Sequence, residues 1–253
     1  MIRSAAQILL LISTALSGSC ARPAAFTPTE VIDLGAVVTD DLPQRMWGKA
    51  TLRMMNFSKQ NSVELIKWAF PVQGQDSVRG SNAYYTLFNH GGPHLDAPIH
   101  VGARGGVDSY RLESFSGPAK VFEVSSYPPG RSIPPSVFQG RVAPGDVVLV
   151  LTRYQAPVGD APLEVRTLTH EAAEYLAMLP VRAYGTDAFG VEAVGDFKMP
   201  WIHHSFLTRG IPVYEQLLNV DKLLGKERLF FVGVPLNMKD GDGMMVRPVV
   251  FVH

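Results

Sequence analysis

One eleven-residue segment of the chain holds three histidines and an aspartate: His90, His94, Asp96 and His100. Neutral imidazoles and a carboxylate are the ligands that zinc and manganese take in catalytic sites, where one coordination position stays open to water. An extended strand rises about 3.3 Å per residue and would hold His90 and His100 too far apart for one ion. Gly91-Gly92-Pro93 supplies a turn that can bring His90 and His94 together. The segment therefore predicts a site for a divalent metal ion, with His100 placed to move protons.

That segment alone leaves the predicted site short of ligands. The other histidine cluster is His203-His204, and Glu215 follows it after the helix-ending Gly210 and a short stretch of β-forming residues. A helix-turn-strand unit of this kind can present one histidine and Glu215 to the same pocket. From the residues alone, His203 and His204 are interchangeable in this role.

The elements that must position these side chains are short. A helix is predicted from the N-cap Thr169 to Pro180, with apolar residues at helical spacing, and a second helix over Ile202–Arg209. Runs rich in β-branched residues predict strands over residues 31–34, 119–124, 146–152, 228–234 and 246–252. Strands outnumber helices, and neither a repeat nor a linker divides the chain. The sequence therefore predicts a single mixed α/β domain over residues 26–253, with a substantial β core.

Composition and charge narrow the classes of function. Of the 253 residues, 23 are basic and 23 are acidic, so the formal net charge is zero and the sequence pI is about 7.1. A nucleic-acid partner would require a basic face and an anionic membrane surface a polybasic run, so neither partner is predicted. A single cysteine, Cys20, excludes an internal disulfide and a thiolate metal cluster. Composition and charge therefore argue only against a polyanionic partner.

The first twenty residues predict export. Arg3 precedes an apolar stretch from Ile8 to Ile12 and a run of small residues, which is the pattern of a secretory signal. The apolar part is too short to span a membrane, which needs about 20 apolar residues. Two interpretations stay open: Cys20 is a lipid-modified cysteine, or the signal is cut after Ala21. In both, the protein is predicted to be exported, either to the periplasm or as a lipid-anchored protein of the cell envelope.

The histidine-rich segment also resembles the signature of a known family. His90-x-Gly92-x-His94-x-Asp96-x-Pro98-x-His100 is similar to the motif HxGTHxDxPxH of the cyclase family, which includes bacterial kynurenine formamidases (arylformamidases) and isatin hydrolases. Further segments resemble the family in the same order, from residue 31 to the end of the chain. They are residues 31–34, 145–149, 184–188, the pair His203 and Glu215, 235–237, 241–243 and Arg247.

This resemblance implies a fold and a set of metal ligands. The expected fold is a single α/β domain with a barrel-like, swivelling β/β/α core and flanking helices. By resemblance, His90, His94 and Asp96 hold one metal ion, and His203 and Glu215 complete a second site to which Asp96 is a candidate bridge. One or two divalent ions, zinc or manganese, are therefore expected. The twelve-residue spacing to Glu215 favours His203 over its neighbour.

The resemblance also implies an activity. The expected reaction is hydrolysis of a small formamide or lactam by a metal-activated water, as when N-formyl-L-kynurenine yields kynurenine and formate, or when isatin is opened. His100 would be the acid/base that protonates the departing nitrogen. This family forms homodimers, so a homodimer is expected.

Three residues depart from the family pattern. The usual threonine of the motif is Pro93. The family has a glycine-aspartate turn that residues 184–188 resemble, and the serine and aspartate that usually follow it are Gly190 and Glu192 here. Changes next to metal ligands can weaken metal affinity or activity. A second hypothesis is therefore an exported lipoprotein, anchored at Cys20, that keeps the fold and binds a ligand without catalysis.

Overall fold

A mixed β-sheet organises the chain. The computed structural model describes residues 27–48, 61–73, 75–159, 161–194 and 200–253. The strands are, in chain order, β1 (Glu30–Asp33), β2 (Ser62–Val72), β3 (Gln75–Thr86), β4 (His94–Asp96), β5 (Ser116–Glu123), β6 (Gly130–Ile133), β7 (Val147–Leu151), β8 (Arg166–Leu168), β9 (Ala183–Thr186), β10 (Val213–Glu215), β11 (Leu229–Val232), β12 (Gly243–Met245) and β13 (Val249–Val252). One sheet contains nine of these strands in the order β1-β13-β11-β5-β7-β9-β10-β4-β12. Strands β2 and β3 form a separate pair, as do β6 and β8.

Strand β7 lies in the interior of the large sheet. All five of its residues are buried, which is typical of a parallel strand covered on both faces. Its side chains alternate between two cores, Val148 and Val150 in the core that includes the helices, Val147 and Leu149 in the core on the opposite face. The pairs β5–β7, β7–β9 and β9–β10 are parallel, whereas the sheet's other pairs are antiparallel. The predicted α/β class is confirmed.

Three α-helices occur within the described residues: α1 (Leu42–Trp47), α2 (His170–Met178) and α3 (Trp201–Leu207). Helix α2 has the predicted N-cap, since the Thr169 hydroxyl accepts a hydrogen bond from the Ala172 N–H at 3.2 Å. Helix α3 begins one residue before the predicted start and ends two residues before the predicted end. It is followed by Gly210 at φ +71°, a left-handed conformation that glycine adopts without strain.

Thr169→Ala is expected to lower the free energy of unfolding by about 1 kcal/mol, because the N–H of Ala172 loses its capping oxygen. For a chain of this size, that corresponds to a fall in Tm of about 2–4 °C. Thermal unfolding monitored by circular dichroism checks the value. Thr169→Ser keeps the hydroxyl and serves as the control. Equal losses in both variants would contradict a capping role.

A long β-hairpin, β2–β3, lies outside the strands that the sequence predicts. Strands β2 and β3 pair along their length, with Ser62 opposite Thr86. Pro71 falls within the first segment, and polar residues fill much of the second, so the strand signal of the pair is weak in the sequence. Several large apolar or aromatic residues of the hairpin are exposed, namely Val63, Leu65, Ile66, Tyr84 and Tyr85.

All five strands predicted from the sequence are present, whereas one predicted turn is not. The five predicted strands coincide with β1, β5, β7, β11 and β13, with bounds that differ by at most three residues. The glycine-aspartate turn expected over residues 184–188 is wrong at its start, because residues 184–186 belong to β9, which is held between β7 and β10. The predicted signal segment and Cys20 lie outside the described residues. Among the residues that the structure describes, no helix has the length and apolar character needed to cross a membrane.

Candidate metal centre

Strand β4 is the centre of the candidate site. His94 and Asp96 are two residues apart, so both side chains leave the strand on the same face. The chain turns through residues 91–93 just before the strand, and this brings the ring centroids of His90 and His94 to 4.7 Å. The turn is tightly packed, since a Cβ on Gly92 would lie 2.7 Å from the Leu42 side chain. The predicted role of the glycine turn is confirmed.

Strand pairing and helix α3 bring the later residues to the same place. Glu215 lies opposite His94 in the antiparallel pair β4–β10. His203, on α3, is buried, and its Nε2 lies 3.2 Å from Glu215 Oε1. His204 is exposed. The structure therefore places His203 in the site, as the twelve-residue spacing favours.

The carboxylates of Asp96 and Glu215 each lie between imidazoles on two sides. Asp96 Oδ1 lies 3.1 Å from His90 Nε2 and 3.3 Å from His94 Nε2, whereas Oδ2 lies 3.4 Å from His203 Nε2. Glu215 follows the same plan, with Oε2 3.5 Å from His94 Nε2 and Oε1 3.2 Å from His203 Nε2. One oxygen of each carboxylate thus faces His94, and the other faces His203.

These atoms are arranged as ligands rather than as hydrogen-bond partners. In the described part of the chain, no hydrogen bond with acceptable geometry reaches His90 Nε2, His94 Nε2 or either carboxylate oxygen of Asp96. Buried polar atoms without a hydrogen bond are rare, and each lowers the free energy of unfolding by about 1–3 kcal/mol. His94 Nδ1 lies 2.7 Å from the carbonyl of Gly92 and donates its proton there, which leaves a lone pair on Nε2. Imidazole nitrogens with carboxylates fit zinc or manganese.

The buried ionisable groups of the site shift one another's pKa values. Burial alone would raise the pKa of Asp96, but the surrounding imidazoles, His94 foremost, hold that pKa well below its ordinary value. Burial likewise opposes the charged forms of His94 and His203, yet the facing carboxylates outweigh it and raise the pKa of both. The cluster therefore favours positive charge at its centre. A divalent ion can supply that charge and displace the protons.

His100 lies at the open side of this cluster. It belongs to a single 3-10 turn, Pro98–Val101, and its ring stacks on His90 with centroids 4.7 Å apart. About a third of its side chain, 32%, is exposed. Burial lowers the pKa of His100, and the Asp96 carboxylate only partly offsets this effect. A neutral imidazole near pH 7 can accept a proton, as the predicted acid/base must.

All six residues predicted for the site meet in this cluster, but sequence reasoning missed the role of a seventh. Glu192 is buried, and its Oε1 lies 3.1 Å from His203 Nδ1. The same oxygen accepts hydrogen bonds from the backbone N–H groups of Ile202 and His203 at 2.8 and 2.9 Å. Glu192 thus orients His203 and leaves its Nε2 free to act as a ligand. The sequence feature that could have indicated this role is a carboxylate shortly before the helix that carries His203.

Glu192→Gln is expected to weaken metal affinity about 10–100-fold, because the amide cannot supply the negative charge that makes His203 a stronger ligand. Titration with zinc under competition from a chelator measures the affinity. His204→Gln changes the exposed neighbour on α3 and is expected to leave the affinity unchanged. An unaltered affinity in Glu192→Gln would exclude the proposed role of Glu192.

Known proteins share both the sequence pattern and the fold. The Cyclase family model matches residues 32–193. The chain belongs to the cyclase family. A kynurenine formamidase of Salinibacter ruber is 30% identical over 188 residues, which are 73% of this chain and 87% of that protein. A kynurenine formamidase of Bacillus cereus is 26% identical over 167 residues, 65% of this chain and 77% of that protein.

Solved structures of cyclase-fold proteins show the same architecture. An isatin hydrolase bound to the product analogue thioisatinate has a TM-score of 0.69 at 19% identity, covering 88% of this chain and 92% of that chain. Isatin hydrolase A from Labrenzia aggregata has a TM-score of 0.67 at 22% identity, covering 88% and 93%. At this identity the likeness shows the fold, a single α/β domain whose strongly curled mixed sheet forms a half-barrel with few helices. The predicted barrel-like fold is confirmed.

Proposed function

We propose that this chain is a metal-dependent hydrolase that cleaves the carbon–nitrogen bond of a small formamide or lactam. The observation that carries the proposal is the set of buried nitrogen and oxygen atoms on His90, His94, Asp96, His203 and Glu215, which face one another. The enzyme class, hydrolysis of carbon–nitrogen bonds other than peptide bonds, is that of the curated relatives.

Each residue of the site has a defined task in this reaction. A bound divalent ion supplies Lewis-acid polarisation of a carbonyl and lowers the pKa of water. Asp96 and Glu215 face the histidines with their carboxylates. The Gly92 carbonyl and Glu192 fix which nitrogens of His94 and His203 carry lone pairs. His100, at the open side, takes a proton from the attacking water and returns it to the departing nitrogen. The amide bond breaks as that nitrogen leaves with the proton.

A partly buried aromatic ring beside the site, that of Phe88, favours a flat substrate. Trp47 packs edge-on against Phe88, with ring centroids 5.2 Å apart, and against Phe189 at 4.8 Å. Phe88 in turn lies 5.9 Å from the His90 ring. Aromatic rings interact well with other rings in edge-to-face and offset arrangements. An aryl formamide such as N-formylkynurenine, or an aryl lactam such as isatin, therefore suits this side of the site.

The division of the donor atoms supports two ions. One group comprises Asp96 Oδ1 and Glu215 Oε2 with His90 and His94, and the other comprises Asp96 Oδ2 and Glu215 Oε1 with His203. Asp96 and Glu215 would each contribute one oxygen to each group. Elemental analysis that gives two zinc or manganese ions per chain would agree with this arrangement, whereas one ion would restrict the site to a single centre.

Metal content and turnover of the purified protein test the proposed function together. Stoichiometric zinc or manganese is expected, with hydrolysis of at least one member of a panel of aryl formamides, lactams and lactones. His100→Ala should lower turnover at least about 100-fold, and His204→Ala, on an exposed position, should not. A purified protein that binds no zinc or manganese and hydrolyses none of these substrates would overturn the proposal. Metal and substrate-analogue binding without turnover would instead support the non-catalytic binding protein.

The predicted export is also part of the proposal. Residues 1–20 have the pattern of a secretory signal, and Cys20 is the chain's one cysteine. Mass spectrometry of the mature protein from the native host distinguishes an acylated N-terminal Cys20 from a terminus created by cleavage after Ala21. An unprocessed Met1 terminus would contradict export.

A homodimer is proposed as well, because the family resemblance implies it. Light scattering of the purified protein measures the mass directly, against 27.6 kDa for the full chain. A monomer across a broad concentration range would overturn this expectation.

A further inference from the structure

The loop that leads into strand β12 places a carboxylate beside His100. Asp242 Oδ2 lies 3.8 Å from His100 Nδ1. Its other oxygen, Oδ1, accepts a hydrogen bond from Asn89 Nδ2 at 2.7 Å. The backbone carbonyl of Asp242 accepts a hydrogen bond from the N–H of Ala97 at 2.9 Å. Asp242 is thus tied to the residue before His90 and to the residue after Asp96.

We infer that Asp242 is the positioning residue of His100, holding the neutral imidazole with its proton on Nδ1 so that Nε2 carries the lone pair. This inference rests on the proposed function for its catalytic meaning, although the position of the proton can be measured without turnover. A histidine that acts as a base needs a fixed tautomer. The hydrogen-bond partner of one ring nitrogen, here Nδ1, decides which tautomer is present. Asp242 is the carboxylate that faces Nδ1 of His100.

The contact must shorten by about 1 Å to become a hydrogen bond. Both side chains have room to do so, since they are 32% and 53% exposed. Hydrogen bonds of catalytic groups are often long before substrate binds and tighten in the complex. The anchor from Asn89 limits how far Asp242 can turn, so its free oxygen stays directed at His100.

The hydrogen bond from Asn89 also predicts the effect of Asp242→Asn. In Asp242→Asn, the amide oxygen is expected to take the place of Oδ1, because Asn89 Nδ2 offers a donor there. The amide NH2 then replaces Oδ2 and faces His100 Nδ1 as a donor. The imidazole would have to accept at Nδ1 and carry its proton on Nε2. The substitution therefore inverts the tautomer instead of merely weakening the contact.

Nitrogen-15 NMR of the zinc-loaded protein tests the inference directly, with His100→Gln used to assign the His100 ring signals. The wild type is expected to show the Nδ1–H form and Asp242→Asn the Nε2–H form. Asp242→Glu keeps a carboxylate and should retain the wild-type form in part. Asp240→Asn changes an exposed carboxylate two residues away in the same loop, and serves as the matched control. The same tautomer in the wild type and in Asp242→Asn would overturn the inference.

Kinetics and zinc content complete the test. Asp242→Asn is expected to lower kcat about 10–100-fold with little change in KM, since the variant affects proton transfer and not substrate binding. Asp242→Glu should recover part of that loss. Zinc content should remain that of the wild type, and loss of zinc would overturn the inference by making Asp242 a metal ligand, as its position near His90 and His100 also permits. A wild-type protein without turnover would count against the proposed function, while the NMR result would still decide the tautomer.

Discussion

Asp96→Asn is expected to abolish stoichiometric metal binding while leaving the chain folded. The substitution keeps the shape of the side chain but removes the negative charge that faces three imidazoles, those of His90, His94 and His203. Loss of a carboxylate shared by both halves of the site should weaken metal binding well beyond the 10–100-fold typical of outer-shell changes. Turnover should fall about 1,000-fold or more, equivalent to about 4 kcal/mol of transition-state stabilisation.

Thermal unfolding in the presence and absence of zinc measures this effect without any assumption about the substrate. A ligand present at 1,000 times its Kd stabilises the folded state by about 4 kcal/mol, which raises Tm by about 8–16 °C for a chain of this size. The wild type should show such an increase, and Asp96→Asn should show almost none. Asp221→Asn, the same change on an exposed position, should behave as the wild type. Retention of the zinc-dependent increase by Asp96→Asn would remove Asp96 from the ligand set.

The part of the site that the sequence predicts is the part that depends on local geometry. His90, His94, Asp96 and His100 lie within eleven residues, and a glycine turn is enough to bring them together. Their chemistry can therefore be inferred before any strand pairing is known. His203 and Glu215 are twelve residues apart on one helix-turn-strand unit, which is also a local arrangement.

The missed residues depend on pairings between distant segments. Asp242 and Gly243 reach the site because β12 pairs with β4, about 150 residues earlier in the chain, and a single sequence does not specify that register. In the sequence, Glu192 is only a departure from the family pattern. Its role depends on helix α3, which places His203 Nδ1 3.1 Å from Glu192 Oε1. Tertiary pairing, rather than local propensity, decides these positions.

Gly243→Ala is expected to disable the site by steric displacement of His90. An added Cβ would lie 2.7 Å from His90 Nε2, 2.9 Å from His90 Cε1 and 2.8 Å from the carbonyl oxygen of Leu95. Contacts this short do not occur in proteins, and the Leu95 carbonyl belongs to strand β4 and cannot move alone. Either β12 separates from β4 or the His90 ring turns away. If the ring turns away, the ligand nitrogen of His90 leaves its position, and this is the outcome expected here.

Two measurements distinguish this displacement from general destabilisation. Overpacking of this kind costs about 1–3 kcal/mol, so Gly243→Ala should remain folded, with a lower metal-free Tm. Its zinc affinity should fall about 100-fold or more, since a displaced ligand affects the metal directly. Gly241→Ala is the matched control in the same loop, because its added Cβ would meet no described atom closer than 3.3 Å, and Met238 can adjust. Wild-type zinc affinity in Gly243→Ala would contradict the displacement of His90.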